Sequence, residues 1–259
     1  MGSMSTRTVD WTGLGTPRAG APGGSQAGTR AASAPASSGE GLRERKKRLM
    51  RQQLSDTATE MFMARGFDAV RVTEVAQACG VSEKTVFNYF PTKESLVLDR
   101  WDTTMASLRT ALADPETPPV EAAVRILGAE LHGMTSWIAG QDDPGRAVAA
   151  VRRFGELLRV TPALRAHQRD VQDQLIEVAA EVLAGRAGMS PDDPEPHIAA
   201  TALLGLWDVQ FRSLRKYLAG THTPAEIHQA VTADVHRAAR LVDQGVGSFP
   251  PFGRPAPDS

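Results

Sequence analysis

The sequence predicts an all-α chain, with a short three-helix domain at the N-terminal side and a longer helical bundle after it. Three observations predict this. Apolar residues recur at helical spacing, no stretch shows sustained period-2 alternation with β-branched enrichment, and Pro and Gly clusters cut the chain into helix-length pieces.

Residues 1–40 are dominated by Gly, Ala, Ser, Thr and Pro, a composition that cannot bury enough apolar surface to offset its ordering entropy, so a disordered extension is expected there. Leu54, Ala58, Met61 and Phe62 share one helical face, and Gly66 supplies a stop. Val72, Val75, Ala76 and Cys79 form a second, short stripe over residues 73–79, closed by Gly80. Ser82 is a good N-cap for a third helix with Val86 and Phe90 on one face. Pro91 interrupts the chain, and Thr92 is placed to cap a longer fourth helix carrying Leu96, Leu98, Trp101 and Met105. Further helices are predicted at 119–139, 146–159, 162–187, 194–219 and 224–245, each bounded by Pro- or Gly-containing turns. The Pro-rich stretch 246–259 reads as a disordered C-terminal tail. The expected domains are therefore 1–40, 41–91, 92–245 and 246–259.

Net charge is −1, yet it is unevenly spread. Residues 41–101 hold 11 Lys and Arg against 8 Asp and Glu, whereas residues 102–259 hold 15 against 20. Four of the five lysines, Lys46, Lys47, Lys84 and Lys93, lie in the first of these regions. Such asymmetry points a basic face at an anion from one part of the molecule only. The single cysteine, Cys79, excludes an internal disulfide framework and a Cys-based zinc site, and reads as a packed side chain in a reducing, cytoplasmic setting. No apolar run reaches the roughly 20 residues of a bilayer span, so no membrane partner is expected. The six histidines are scattered, and there is no glycine-rich phosphate loop or nucleophile elbow. Neither cofactor, metal nor enzymatic activity is expected.

Residues 72–90 have the span of a helix-turn-helix: a short helix, a turn at Gly80, and a second helix three residues on. With Val86 and Phe90 inward, Glu83, Lys84, Thr85, Phe87, Asn88 and Tyr89 are left outward. Two aromatics and an amide beside Lys and Thr are unusual on a merely solvated face. Lys84 can donate to guanine O6 or N7, Asn88 can pair with adenine, Phe87 can meet a thymine methyl, and Thr85 and Tyr89 can donate to phosphates. Lys93 sits near a helix start, where backbone N–H groups also favour phosphate. Arg43, Arg45, Lys46, Lys47, Arg48 and Arg51 form a basic arm opposed only by Glu44, a source of salt-sensitive attraction to DNA.

The run GVSEKTVFNYFPTKESL, preceded by MFMARGFDAV, resembles the N-terminal domain of the TetR/AcrR family of bacterial regulators over roughly sixty residues. The resemblance implies a recognition helix in the major groove, with Lys84, Thr85, Phe87, Asn88 and Tyr89 at bases or phosphates and Lys93 at a phosphate. It also implies DNA contacts from the start of the preceding helix, at Arg71 and Thr73. One departure stands out: the family usually has Thr as that helix's cap, where this chain has Arg71. Arg cannot cap through a side-chain oxygen. Either Thr73 caps one turn later, or Arg71 reaches a phosphate and leaves the end less well capped.

After Trp101 the chain resembles the family in length, helical content and order. The family pattern implies a small-molecule effector in this region, and a homodimer built by the last two long helices, 194–219 and 224–245. A two-fold dimer would match a pseudo-palindromic operator in double-stranded DNA. Candidate effector-pocket residues are Met105, Met134, Trp137, Phe154, Leu157, Trp207 and Phe211, with His132 and Asp208 as polar partners. Each is also a residue that an ordinary core or rim would hold. The expected function is a ligand-released repressor. The alternative is a DNA-binding dimer whose body is a protein-interaction module without a small-molecule ligand.

Overall fold

A computed structural model describes residues 41–98 and 101–245, without the side chains of residues 101–103. The expected disordered segments 1–40 and 246–259, and the Trp101 side chain, lie outside the described residues. Two compact units divide between Val97 and Leu98. Among the described residues there is no β-strand, and no helix is long and apolar enough to cross a membrane.

The first unit contains α1 (Leu42–Arg65), α2 (Val72–Ala78) and α3 (Glu83–Tyr89), then a 3-10 turn at Glu94–Leu96. Leu54, Ala58 and Phe62, four residues apart, form the buried stripe of α1. This unit's buried core also includes Val75 and Ala76 of α2, Val86 of α3, and Phe67, Val70, Phe90 and Leu96 from the connections. The Phe62 and Phe67 rings lie 4.9 Å apart and tilted. Gly80, at φ +68, turns the chain between α2 and α3 through a conformation that L side chains rarely adopt.

Two expectations about this unit are corrected. The basic residues 43–51 are not an arm ahead of the first helix; they are its first turns. Arg, Lys, Leu, Met and Gln are good helix formers, and no Gly or Pro intervenes between Leu42 and Gly66. The fourth helix does not start at Thr92. Thr92 Oγ1 does accept the Ser95 N–H at 3.2 Å, but the segment it caps is the single 3-10 turn. Here Ser95 Oγ donates back to the Thr92 carbonyl at 2.7 Å, and Ser55 Oγ of α1 donates to the Leu96 carbonyl at 2.9 Å, side-chain bonds that compete with helical ones.

The second unit contains α4 (Trp101–Ala113), α5 (Pro119–Ala139), α6 (Pro144–Val160), α7 (Pro162–Ala187), α8 (Pro194–Leu218) and α9 (Pro224–Gln244). Five of these six begin with Pro, whose fixed φ and missing N–H suit the first helical position. For α6 this moves the start two residues before the predicted Arg146: Pro144 opens the helix, and Asp143 caps it by accepting the Arg146 N–H at 2.9 Å. Helix α8 packs on α7 and α9, α5 on α4 and α9, and α4 on α7. Leu108, Leu112, Leu127, Leu131, Met134, Leu164, Leu175, Leu204, Trp207 and Val231 fill the middle. Arg186 of α7 locks the α4–α5 connection by donating to the carbonyls of Leu112, Asp114, Pro115 and Thr117 at 2.9–3.3 Å.

Candidate nucleic-acid interface

Helix α3 is two turns long, and three neighbours set its position. Ser82 at its N-cap accepts the Thr85 N–H at 3.1 Å, and the two hydroxyls share a hydrogen bond of 2.8 Å. Val86 and Phe90 are fully buried, which fixes the rotation of the helix about its axis. The outward face then carries Glu83, Lys84, Phe87 and Asn88 exposed, with Thr85 and Tyr89 half-buried at its edges. Phe87 keeps 43% of its surface in water, a cost for an apolar ring that a partner's surface would relieve.

At its C-terminal end α3 meets α1. Arg51 Nη1 donates to the Tyr89 carbonyl at 2.9 Å, and the guanidinium lies 4.7 Å over the Phe90 ring. Just beyond, Lys93 Nζ donates to the Phe67 carbonyl at 2.6 Å and sits 4.2 Å from the Phe67 ring centroid. Of the basic residues on α1, Arg43, Arg45, Lys46, Lys47 and Arg48 are exposed, whereas Arg51 is half-buried.

The start of α2 resolves the question raised by Arg71. Helix α2 begins at Val72, so Thr73 lies inside it and caps nothing; Arg71 occupies the N-cap with an extended backbone and makes no side-chain cap bond. Instead Glu74 reaches back, and its Oε2 accepts the Arg71 N–H at 2.8 Å. Glu74 Oε1 also pairs with Arg65 at 2.9 Å. The Arg71 N–H first, and the Arg65 guanidinium after it, hold the Glu74 carboxyl below the ordinary carboxylate range. Arg71 and Thr73 are both exposed. Cys79 is half-buried against α1, its Sγ 3.9 Å from the Gln53 carbonyl.

Sequence reasoning missed Glu74 and the position of Arg51. Both left a trace. Glu74 stands three residues after the cap, the spacing of a capping box, and Arg51 stands three before Leu54, on the buried side of α1.

The expected effector residues differ in burial. Met134 and Trp207 are buried, Met105, Trp137, Phe154 and Leu157 are half-buried, and His132 and Phe211 are exposed. Phe211 falls outside because the buried stripe of α8 runs through Leu203, Leu204, Leu206, Trp207, Gln210 and Ser213. Asp208 is turned to the surface, paired with Arg212 at 2.7 Å. Trp207 Nε1 donates to Glu130 Oε2 at 3.2 Å, and Thr104 Oγ1 donates to Glu130 Oε1 at 2.8 Å, so three helices share one carboxylate. Two open clefts, about 450 and 250 Å³, lie at the α6/α8–α9 turn and beside α5 and α8; none of the expected residues lines either. His132 faces His228 of α9 edge-on at 5.9 Å, and Thr135 joins the pair through His228 Nδ1 at 3.3 Å.

Comparison with known proteins agrees with this layout. Residues 54–99 match the family described as bacterial regulatory proteins, tetR family, and residues 141–225 match the MftR C-terminal domain. A Mycobacterium tuberculosis protein that bears the name of a mycofactocin biosynthesis transcriptional regulator, MftR, is 26% identical over 153 residues, 59% of this chain and 73% of that one. The HTH-type transcriptional regulator TcmR of Streptomyces glaucescens is 29% identical over 157 residues, 60% of this chain and 68% of that one. The HTH-type transcriptional regulator LuxR of Vibrio harveyi is 47% identical over 47 residues, 18% of this chain and 23% of that one. The chain belongs to the TetR family: it is a transcriptional regulator with a DNA-binding helix-turn-helix head and a helical C-terminal domain.

Proposed function

We propose that this regulator binds a pseudo-palindromic operator as a homodimer, acts in the cytoplasm as a repressor, and is released by a small-molecule effector bound in the α4–α9 unit. The observation that carries the DNA reading is the face of α3. Lys84, Phe87 and Asn88 are exposed there while Val86 and Phe90 anchor the opposite side. Lys84 and Asn88 can read base edges in the major groove, Phe87 can meet a thymine methyl, and Thr85 and Tyr89 can reach phosphates at the edges. Arg71 and Thr73 extend the contact to the start of α2. Lys93 keeps N–H donors beyond the one given to Phe67, so a phosphate can join its contacts. Arg45 and Lys47 add attraction that depends on salt rather than sequence.

For the dimer, the support is Ile198 on α8, 65% exposed and one turn before Thr201 and Ala202 on the helix that the family places at its interface. A two-fold arrangement sets the two recognition helices about 34–36 Å apart, one turn of DNA. An effector shifts such a dimer only as far as its affinity differs between the binding and non-binding conformations.

The test is selection from a random-sequence duplex library followed by footprinting. An inverted-repeat site protected on both half-sites is the expected result; selection of no site, or of a single asymmetric one, overturns it. Thermal-shift screening of small molecules then separates the two readings of the body, because a specific effector raises the melting temperature by mass action.

A further inference from the structure

We propose that Arg51 is a positioning residue that fixes the pitch of the recognition helix and takes no part in neutralising the DNA backbone. This rests on the DNA-binding reading above. Arg51 stands in a run of cations, and its charge alone suggests one more phosphate contact. Its surroundings say otherwise.

Helix α3 spans only Glu83–Tyr89, so its terminal carbonyls make up much of its backbone and lack partners within the helix. The chain leaves at once: Phe90 is extended, at φ −137 and ψ 104, and Pro91 follows with no N–H to offer. No glycine cap closes this end. The Arg51 guanidinium does so, donating to the Tyr89 carbonyl at 2.9 Å and lying over the Phe90 ring, which is itself fully buried. A cation there also suits the negative end of the helix. Because Arg51 is on α1, three residues from the buried Leu54, the contact ties the end of α3 to the main helix of the head. The planar guanidinium can donate in its plane while its flat face covers a ring; an ammonium can also donate beside a ring, but as a point charge without that face.

Small changes of pitch matter because bases are read from the N-terminal part of a recognition helix. With Val86 as a pivot, release of the Tyr89 end tilts Lys84 and Phe87 away from their base pairs. The charged arm on the outer turns of α1 is untouched.

The experiment compares the wild-type chain with R51Q and R51K. Each is titrated against the duplex that the wild type selects from a random library and against a scrambled duplex of the same composition, over a range of salt. For R51Q the selected-over-scrambled ratio is expected to fall roughly tenfold, as for one mismatched base pair. The salt slope on the scrambled duplex should stay at the wild-type value. R51K should fall between the two, since it keeps the donor and loses the stack. A slope reduced by about 0.9, the signature of one lost phosphate, overturns the proposal, and so does an unchanged ratio. Backbone amide exchange without DNA gives an independent reading. In R51Q the amides of Val86 to Phe90 should exchange faster than in the wild type while those of α1 around Leu54 do not, and equal exchange at α3 overturns the proposal. If the wild type selects no duplex, the DNA reading fails, whereas the exchange comparison still decides the role of Arg51.

Discussion

The carboxylate of Glu74 accepts the Arg71 N–H at 2.8 Å and pairs with Arg65 at 2.9 Å, so one side chain caps α2 and ties it to the end of α1. It supplies the half of a capping box in which the third helical residue accepts the N–H of the cap residue, while the half that a Thr or Ser at the cap would supply is missing. Glu74→Gln should therefore lower the melting temperature of the head at neutral pH. The dependence on pH has a definite sign. The folded-state pKa is depressed, so the stabilisation is full above the ordinary carboxylate range and is lost as pH falls through that range toward the folded value. Thermal melts at successive pH values should show wild type and Glu74→Gln apart at neutral pH and converging in acid; a constant gap would refute the coupling.

Lys84 and Lys93 are both cations of the head, and their surroundings differ. Lys84 is exposed on the reading face, whereas Lys93 Nζ is held by the Phe67 carbonyl. Lys84→Ala should lose about 1–3 kcal/mol of discrimination at one base pair and keep its stability. Lys93→Ala should reduce the salt slope by about 0.9 without changing sequence preference. It should also lose ~1–2 kcal/mol of stability, since the Phe67 carbonyl gives up a charged donor. Binding isotherms in a salt series, paired with denaturant melts, separate these outcomes.

Arg186 holds one carbonyl of the last turn of α4, Leu112, and three of the α4–α5 connection, Asp114, Pro115 and Thr117. Arg186→Ala leaves them to water and should destabilise the C-terminal domain by about 2–3 kcal/mol. Arg186→Lys should recover little, because an ammonium cannot span the four acceptors. Urea unfolding of both variants checks this, and a lysine variant as stable as the wild type would sink it.

Glu130 joins α4, α5 and α8 by accepting from Thr104 and Trp207. In Glu130→Ala the Trp207 N–H, on a side chain only 3% exposed, is left without that acceptor. A cost of about 1–3 kcal/mol follows, with a shift in the Trp207 emission that Glu130→Gln should largely prevent by keeping an acceptor oxygen in place. Fluorescence of a variant keeping Trp207 as its sole tryptophan would isolate the signal.

Much of the helical layout was legible because its causes are local. Pro119, Pro162, Pro194 and Pro224 open helices where proline's geometry favours a start, and Ser82 caps α3 through an atom three residues away. The reading face was legible for the same reason: once Val86 and Phe90 turn inward, helical periodicity places Lys84, Phe87 and Asn88 outward.

What the sequence could not decide was every feature settled by a partner distant along the chain. Arg51 reads as one more cation until Tyr89, 38 residues on, supplies the carbonyl it caps. Lys93 reads only as a phosphate ligand, and the fold adds the Phe67 carbonyl as an acceptor for one of its three N–H donors. The predicted fourth helix is instead a 3-10 turn at Glu94–Leu96 and then α4 from Trp101, and the Leu96 carbonyl accepts from Ser55, 41 residues earlier. Trp137, Trp207 and Phe211 look alike as large apolar residues on helices, and only packing makes one buried, one half-buried and one exposed. Local spacing determined which residues are helical and which way α3 faces. Tertiary contact decided which charges remain at the surface, since a hydrogen bond to a carbonyl brought close by folding competes with water and leaves no mark in the order of residues.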